Sequence, residues 1–226
     1  MTGGLPELNQ TVYSDARVGD AMNQLKSEIK RGRKFDQVLE GARAVFLKDG
    51  FEGASVDIIA REAGVSKATM YSYFPDKRLL FMEVAANECK CQAAAATASI
   101  DMSAQPEAVL RKAAAHLIDY FLSDFGLRVF RICVAEADRF PELGQQFYDS
   151  GPALVEATLS GYFDLAIARG ELAIDDKSLA AHQFSELCKA RLFPRLVFGV
   201  QTQFSKAEIA TVIDGAVEMF MARYGT

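Results

Sequence analysis

The stretch SVDIIAREAGVSKATMYSYFPDK, residues 55–77, decides the reading of the whole chain. Ser55 offers an N-cap hydroxyl to a short helix whose Val56, Ile59, Ala60 and Ala63 share one face, and Gly64 stops it. Ser66 is a second N-cap, opening a helix of about two turns from Lys67 to Phe74 that Pro75 and Asp76 close. Two short helices at that separation have helix-turn-helix spacing. In the second, Met70 and Phe74 lie about 40° apart and point inward, which leaves Ala68, Thr69, Tyr71 and Ser72 on an opposite arc. That arc is small and polar. A DNA major groove, about 12 Å wide, admits one helix if the side chains facing the bases are short or can hydrogen-bond, and Ala68 and Thr69 meet that condition.

Groups suited to phosphate surround the arc: Lys67, the phenols of Tyr71 and Tyr73, and Lys77 at the start of the next helix, where free backbone N–H groups also favour an anion. Ser55 and Ser66 stand at helix N-termini of the same unit. Upstream, Lys26, Lys30, Arg31, Arg33 and Lys34 face only Glu28, and their position beside this unit suits Arg33 and Lys34 to the DNA backbone.

Working outward, residues 1–34 show no clear period and read as a flexible basic arm. A helix follows on Phe35, Val38, Leu39, Ala42, Val45 and Phe46, ending at Asp49-Gly50 with glycine as a left-handed cap. Beyond Asp76 the pattern is helical nearly to the end. A long helix runs from Lys77 into Ala93–Ala96, another opens at Pro106, and Gly126, Pro141 and Gly151-Pro152 punctuate the middle. Ser178 precedes a helix reaching about Phe198, which Pro194 should bend or break. Ser205 and Glu208 form a capping box for a last helix with Ile209, Val212, Ile213, Ala216, Val217 and Phe220 on one side. No alternating strand pattern and no repeat emerges. The fold class is all-α: a three-helix helix-turn-helix head (residues 35–86) on a larger helical body (residues 87–226).

Composition sets the outer bounds. With 226 residues, 50% apolar and 24% charged, the chain is an ordinary globular protein of one or two domains. Its net charge of −5 does not by itself favour nucleic acid, but the excess is local: residues 91–226 hold 17 acidic against 12 basic side chains. No stretch approaches the roughly 18 apolar residues of a membrane span, so no membrane partner and a cytoplasmic location are expected. Cys89 and Cys91 lie about 200° apart on a helix and cannot grip one ion, and with Cys133 and Cys188 they read as ordinary thiols. His116 and His182 have no metal-spaced partners, and no HExxH or GxSxG motif occurs, so neither an enzyme nor a cofactor or metal is expected.

The segment Phe35–Phe81 resembles the TetR family of bacterial transcriptional regulators. The resemblance is carried by Ala44-Val-Phe-Leu, Gly50-Phe-Glu, Ser55-Val, the run from Ile59 to Lys77, and Leu79-Leu80. Ala68 agrees with the small residue usual there, and Tyr73 stands where the family also takes histidine. The stretch Arg128–Glu136, with Arg139–Leu143 and Phe147-Tyr148, resembles the AefR-like subgroup of bodies. The resemblance implies a homodimer on double-stranded operator DNA, Lys77 and the tyrosines on phosphates, Lys67, Ala68 and Thr69 near bases, and release by a small-molecule effector, as in a repressor. It also implies that the last two helices pair with their symmetry mates, with Leu187, Ile209, Val212, Ile213, Ala216, Val217 and Phe220 as the expected interface. His116, Tyr120, Arg131 and Tyr162 are the candidate polar groups of an effector pocket. The competing reading is a helical small-molecule-binding or scaffold protein whose head no longer engages DNA; the mild acidity favours it and the intact Ser66–Lys77 set opposes it.

Overall fold

The computed structural model describes residues 32–226, so most of the proposed arm lies outside the described residues. The described chain is helical, with one isolated bridge between Leu172 and Gly225. The head comprises α1 (Arg33–Gly53), α2 (Val56–Glu62), α3 (Lys67–Tyr73) and the start of α4 (Lys77–Ala98). The body adds α5 (Pro106–Leu122), α6 (Asp124–Glu136), α7 (Pro141–Ser150), α8 (Pro152–Ala168), α9 (Lys177–Lys189), α10 (Phe193–Val197) and α11 (Lys206–Tyr224).

Sequence signals account for most boundaries. Ser55 and Ser66 cap α2 and α3 by accepting from Ile58 N and Thr69 N, and the Ser205–Glu208 capping box is present in full. Three expectations shift. Helix α1 begins at Arg33, so Arg33 and Lys34 are helical rather than part of an arm. The cap of α9 is Asp176, whose carboxylate reaches Leu179 N at 2.9 Å, and not Ser178. The predicted helix to Phe198 is two: α9 ends at Lys189, and Pro194 sits in the first turn of α10, where its missing N–H is harmless.

Two apolar clusters build the molecule. One joins head to body, from Phe35, Val38, Met70, Phe74, Leu80 and Phe81 to Val129 and Cys133 of α6. The other fills the body, where Phe220 meets Phe163, Phe184 and Tyr224 with ring centroids 5.3, 5.3 and 4.8 Å away. Part of the stripe expected at a dimer surface is turned inward. Val212, Ala216, Val217 and Phe220 are buried in their own chain's core, and Leu187, Ile209 and Ile213 pack partly against it. The apolar stripe of α11 is therefore spent inside the protomer.

In the head, α1 and α2 touch at Gly41, where a Cβ would lie 2.6 Å from the backbone nitrogen of Ala63. Backbone cannot yield as a flexible side chain does. Gly41→Ala is therefore expected to destabilise the protein by about 1–3 kcal/mol through overpacking. Gly161→Ala, in an exposed part of α8 where a Cβ meets nothing, should stabilise by about 0.5–1 kcal/mol. Thermal melts of the two variants decide the matter, and equal shifts would contradict the close approach.

Candidate nucleic-acid interface

Helix α3 has only two turns, and its inner side holds it in place. Met70 is 1% exposed, and Phe74 at its end stacks on Phe35 with centroids 5.4 Å apart. With that side fixed, Lys67, Ala68, Tyr71 and Ser72 are exposed and Thr69 is half-buried, so the expected outer arc faces solvent. The hydroxyls are partly engaged. Thr69 Oγ1 lies 2.9 Å from Ser66 Oγ, and Ser72 Oγ donates to Thr69 O at 2.6 Å. Ser55 Oγ accepts from Ile58 N at 3.2 Å, which leaves its own O–H available to an outside acceptor. Lys67 pairs with Asp57 across the turn, both of them exposed. Tyr73 sets its ring edge against Phe35 at 5.6 Å and is half-buried, whereas Tyr71 is exposed. Arg33 and Lys34 are exposed on the first turn of α1.

Lys77 departs from its expected role. Its ammonium donates to Phe51 O at 2.9 Å and Ala54 O at 3.1 Å, and it sits 4.2 Å from the centre of the Phe51 ring. The cause lies in α1. Gly50 adopts φ 70° and ψ 179°, a region essentially restricted to glycine, and this kink turns carbonyls away from the helical ladder. The cation turns inward to satisfy them, so Lys77 braces the head. Asp76 caps α4 through Arg78 N at 2.8 Å, and hydrogen bonds from the Arg78 guanidinium hold its carboxyl below the usual carboxylate range.

The four candidate pocket residues do not converge. His116 is exposed and lies 3.0 Å from Ser99 Oγ; Arg131 is exposed and donates to Val197 O at 2.8 Å. Tyr120, one turn on from His116 and on the same face of α5, also turns toward α4, its hydroxyl 3.1 Å from Cys89 Sγ, and burial pushes its phenol up. Tyr162 is 4% exposed in the body core, near Arg169. Phe121 and Phe130, aromatics of the kind that line a core or an apolar pocket, are joined by Phe193 and Phe147: Phe121, Phe193 and Phe130 follow one another at 5.9 and 5.1 Å, and Phe130 reaches Phe147 at 6.3 Å. Cys133 and Cys188 are buried thiols pushed up to about 12 by desolvation. Among the described residues no cluster of potential ligands suits a metal ion, and no helix is long and apolar enough to cross a membrane.

Comparison with known proteins places these parts together elsewhere. Residues 38–84 match the family of bacterial regulatory proteins of the tetR type, and residues 108–226 match the C-terminal domain of AefR-like transcriptional repressors. A TetR-family regulator from Mesorhizobium loti is 30% identical, with a TM-score of 0.74, covering 86% of this chain and 98% of that one. The flavonoid-responsive regulator FrrA is 33% identical, with a TM-score of 0.65 and the same coverage. The transcriptional repressor AcnR of Corynebacterium glutamicum is 21% identical over 184 residues, 80% of this chain and 90% of the relative. Its Corynebacterium efficiens counterpart is 39% identical over 49 residues, about a quarter of that relative's length (26%).

The bracing role of Lys77 has a measurable consequence. Lys77→Ala leaves the Phe51 and Ala54 carbonyls without their donor, and the protein is expected to lose about 1–2 kcal/mol of stability in chemical denaturation. Lys67→Ala, which removes an exposed ion pair, should cost under about 1 kcal/mol. The reverse order would return Lys77 to the surface.

Proposed function

Because the chain belongs to the TetR family of transcriptional regulators, we propose that it is a homodimeric, sequence-specific repressor that a small molecule releases from its operator. The observation that carries this reading is the bare outer arc of α3, where Ala68 and Ser72 are exposed and short enough for a groove and Tyr71 offers an exposed hydroxyl. Thr69 and Ala68 stand where base edges would lie. Arg33, Lys34, Ser55, Lys67, Tyr71, Ser72 and Tyr73 serve the phosphates, and Ser66 holds the start of the reading helix. Residues 33–86 then act as the head and 87–226 as the body, in the cytoplasm where operator DNA is found.

Two heads must reach successive major grooves about 34 Å apart, so a dimer is needed. The stripe expected to form it is buried, and the exposed apolar groups near it are different ones. Phe198 is 82% exposed and Val200 75%, on the loop between α10 and α11, and Met219 of α11 is 62% exposed. Solitary apolar side chains on a surface mean little, but three beside the C-terminal helices suit an isologous contact. Release would come from an effector that binds the body better in an arrangement unsuited to the operator; binding to the operator then weakens the effector by the same factor. The ring chain of Phe121, Phe130, Phe147 and Phe193 favours a planar aromatic effector, in keeping with the flavonoid response named for FrrA.

The decisive experiment is a salt-dependent titration with duplex from upstream of the chain's own coding sequence. Lys67→Ala should weaken binding to all sequences and reduce the salt slope by about one. Thr69→Ala should change which bases are preferred, and a loss of overall affinity alone would remove Thr69 from base reading. In light scattering, Phe198→Asp should yield monomers with an unchanged helical spectrum; persistence of the dimer would place the interface elsewhere. Failure of the unaltered protein to bind any duplex would overturn the function itself.

A further inference from the structure

The exposed starts of α2 and α3 carry a carboxylate, which a surface made only to meet a polyanion would lack. Asp57 is the second residue of α2, two positions after the cap Ser55. Lys67 is the first residue of α3. The turn between the two helices, with Gly64 at φ 64°, brings these starts together, and the Lys67 ammonium pairs with Asp57 Oδ1.

Stability does not account for the pair. Both side chains stay open to water, Lys67 at 59% and Asp57 at 64% exposure, so holding them together contributes little to folding. Asp57 suits the start of α2, where the helix dipole favours an acid. Lys67 gains nothing from the dipole at the start of α3, and the first turn of α3 holds no acid of its own. Asp57 therefore supplies, from the neighbouring helix, the negative charge that Lys67 lacks. A duplex phosphate would bring the same charge to the same ammonium. One ammonium could touch both groups, yet two anions held at one cation lie within about 6 Å of each other and repel, which favours exchange over sharing.

We propose that Asp57 is a built-in stand-in for phosphate: it holds Lys67 in the DNA-free head and gives it up when a duplex docks, so it sets the sequence-independent part of the head's affinity. For its effect on DNA this rests on the function proposed above; the pair in the free protein does not. The exchange trades one ion pair for another. The number of phosphates engaged is the same with or without the carboxylate, so Asp57 lowers affinity at every salt concentration and leaves the salt slope alone. It acts on operator and unrelated duplex by the same factor, because no base edge takes part. A regulator meets unrelated DNA in vast excess over its operator, and a restrained phosphate contact keeps it from being held there. Asp57 is thus a positioning residue for Lys67.

Two measurements on the full chain separate the pair from its effect. Without DNA, amine labelling by an N-hydroxysuccinimide ester, read by peptide mass spectrometry, should mark Lys67 about threefold faster in Asp57→Asn than in the unaltered protein, while Lys206, exposed at the start of α11, keeps its rate. Equal rates at Lys67 would overturn the pair. With DNA, Asp57→Asn should tighten binding about threefold to both the upstream duplex and a scrambled duplex of the same length, with an unchanged salt slope and a melting temperature within about 2 °C. Asp57→Glu, which keeps the charge, should stay near the unaltered affinity. In the Lys67→Ala background, Asp57→Asn should gain less than about 1.5-fold. Weaker binding, a gain confined to one duplex, or tightening by Asp57→Glu would each overturn the proposal. So would an equal gain in the Lys67→Ala background with a steeper slope, which would show Asp57 acting on DNA through its own charge. An unaltered protein that binds no duplex defeats the functional reading, and labelling then decides the pair by itself.

Discussion

A helix of seven residues does not persist in water without help, because nucleation consumes most of what so few backbone hydrogen bonds return. Helix α3 exists because Met70 is buried and Phe74 stacks on Phe35. That dependence orients the helix. The side that must be buried is apolar, so the opposite side is fixed in direction and left without a structural task. Ala68, Tyr71 and Ser72 occupy it, and none of them would rival Met70 for burial. Ser66 satisfies the first turn, Phe74 N closes the last by donating to Met70 O, and Lys77 secures the segment that follows. The exposed arc is thus a by-product of how the helix is kept folded.

The same logic shows what the sequence could reveal. Caps and periods are local, so Ser55, Ser66, the Ser205–Glu208 box and the inward side of α3 were legible. A two-residue ambiguity arises where two capping residues stand close together: Asp176 prevails over Ser178 because its carboxylate reaches Leu179 N. The stripe from Ile209 to Phe220 was legible as apolar and illegible as to partner, since a period records that a face is covered and not what covers it. Its one ring, Phe220, meets Phe163, Phe184 and Tyr224 of the same chain. Lys77 shows a related limit. A cation at a helix start suits an anion, but the carbonyls that claim it are exposed by the Gly50 kink more than twenty residues earlier. Of the candidate pocket residues, His116 and Tyr120 share one face of α5, whereas Arg131 and Tyr162 sit on other helices.

Charge distribution adds a second constraint on how such a molecule meets DNA. The acidic surplus lies in residues 91–226, and a polyanion repels that part while the exposed Arg33, Lys34 and Lys67 attract it. Orientation in the encounter is therefore biased before any groove contact forms. A small basic set has a further effect: with few phosphates engaged, non-specific binding stays weak at moderate salt, and discrimination falls on the short side chains of α3.

The long helix α4 is the covalent link between head and body, yet packing argues for α6 as the transmitting part. Leu80, Phe81, Val84 and Ala85 root the first half of α4 in the head's apolar cluster, so that half moves with the head and cannot act on it. Helix α6 is rooted at the other end. Ser123 serves both as C-cap of α5 and as N-cap of α6, and α5 carries Val109, Leu110, Ala114 and Ile118 into the body core. Any rearrangement of that core therefore arrives at the start of α6, next to Arg128, and is delivered about 12 Å along the helix at Glu136, which accepts from Arg78 of α4. Close-packed interiors shift between discrete arrangements and do not deform continuously, so the delivered signal is a contact kept or lost. That is what a regulator of spacing requires, since a head turned by a few degrees no longer shares one duplex face with its symmetry mate.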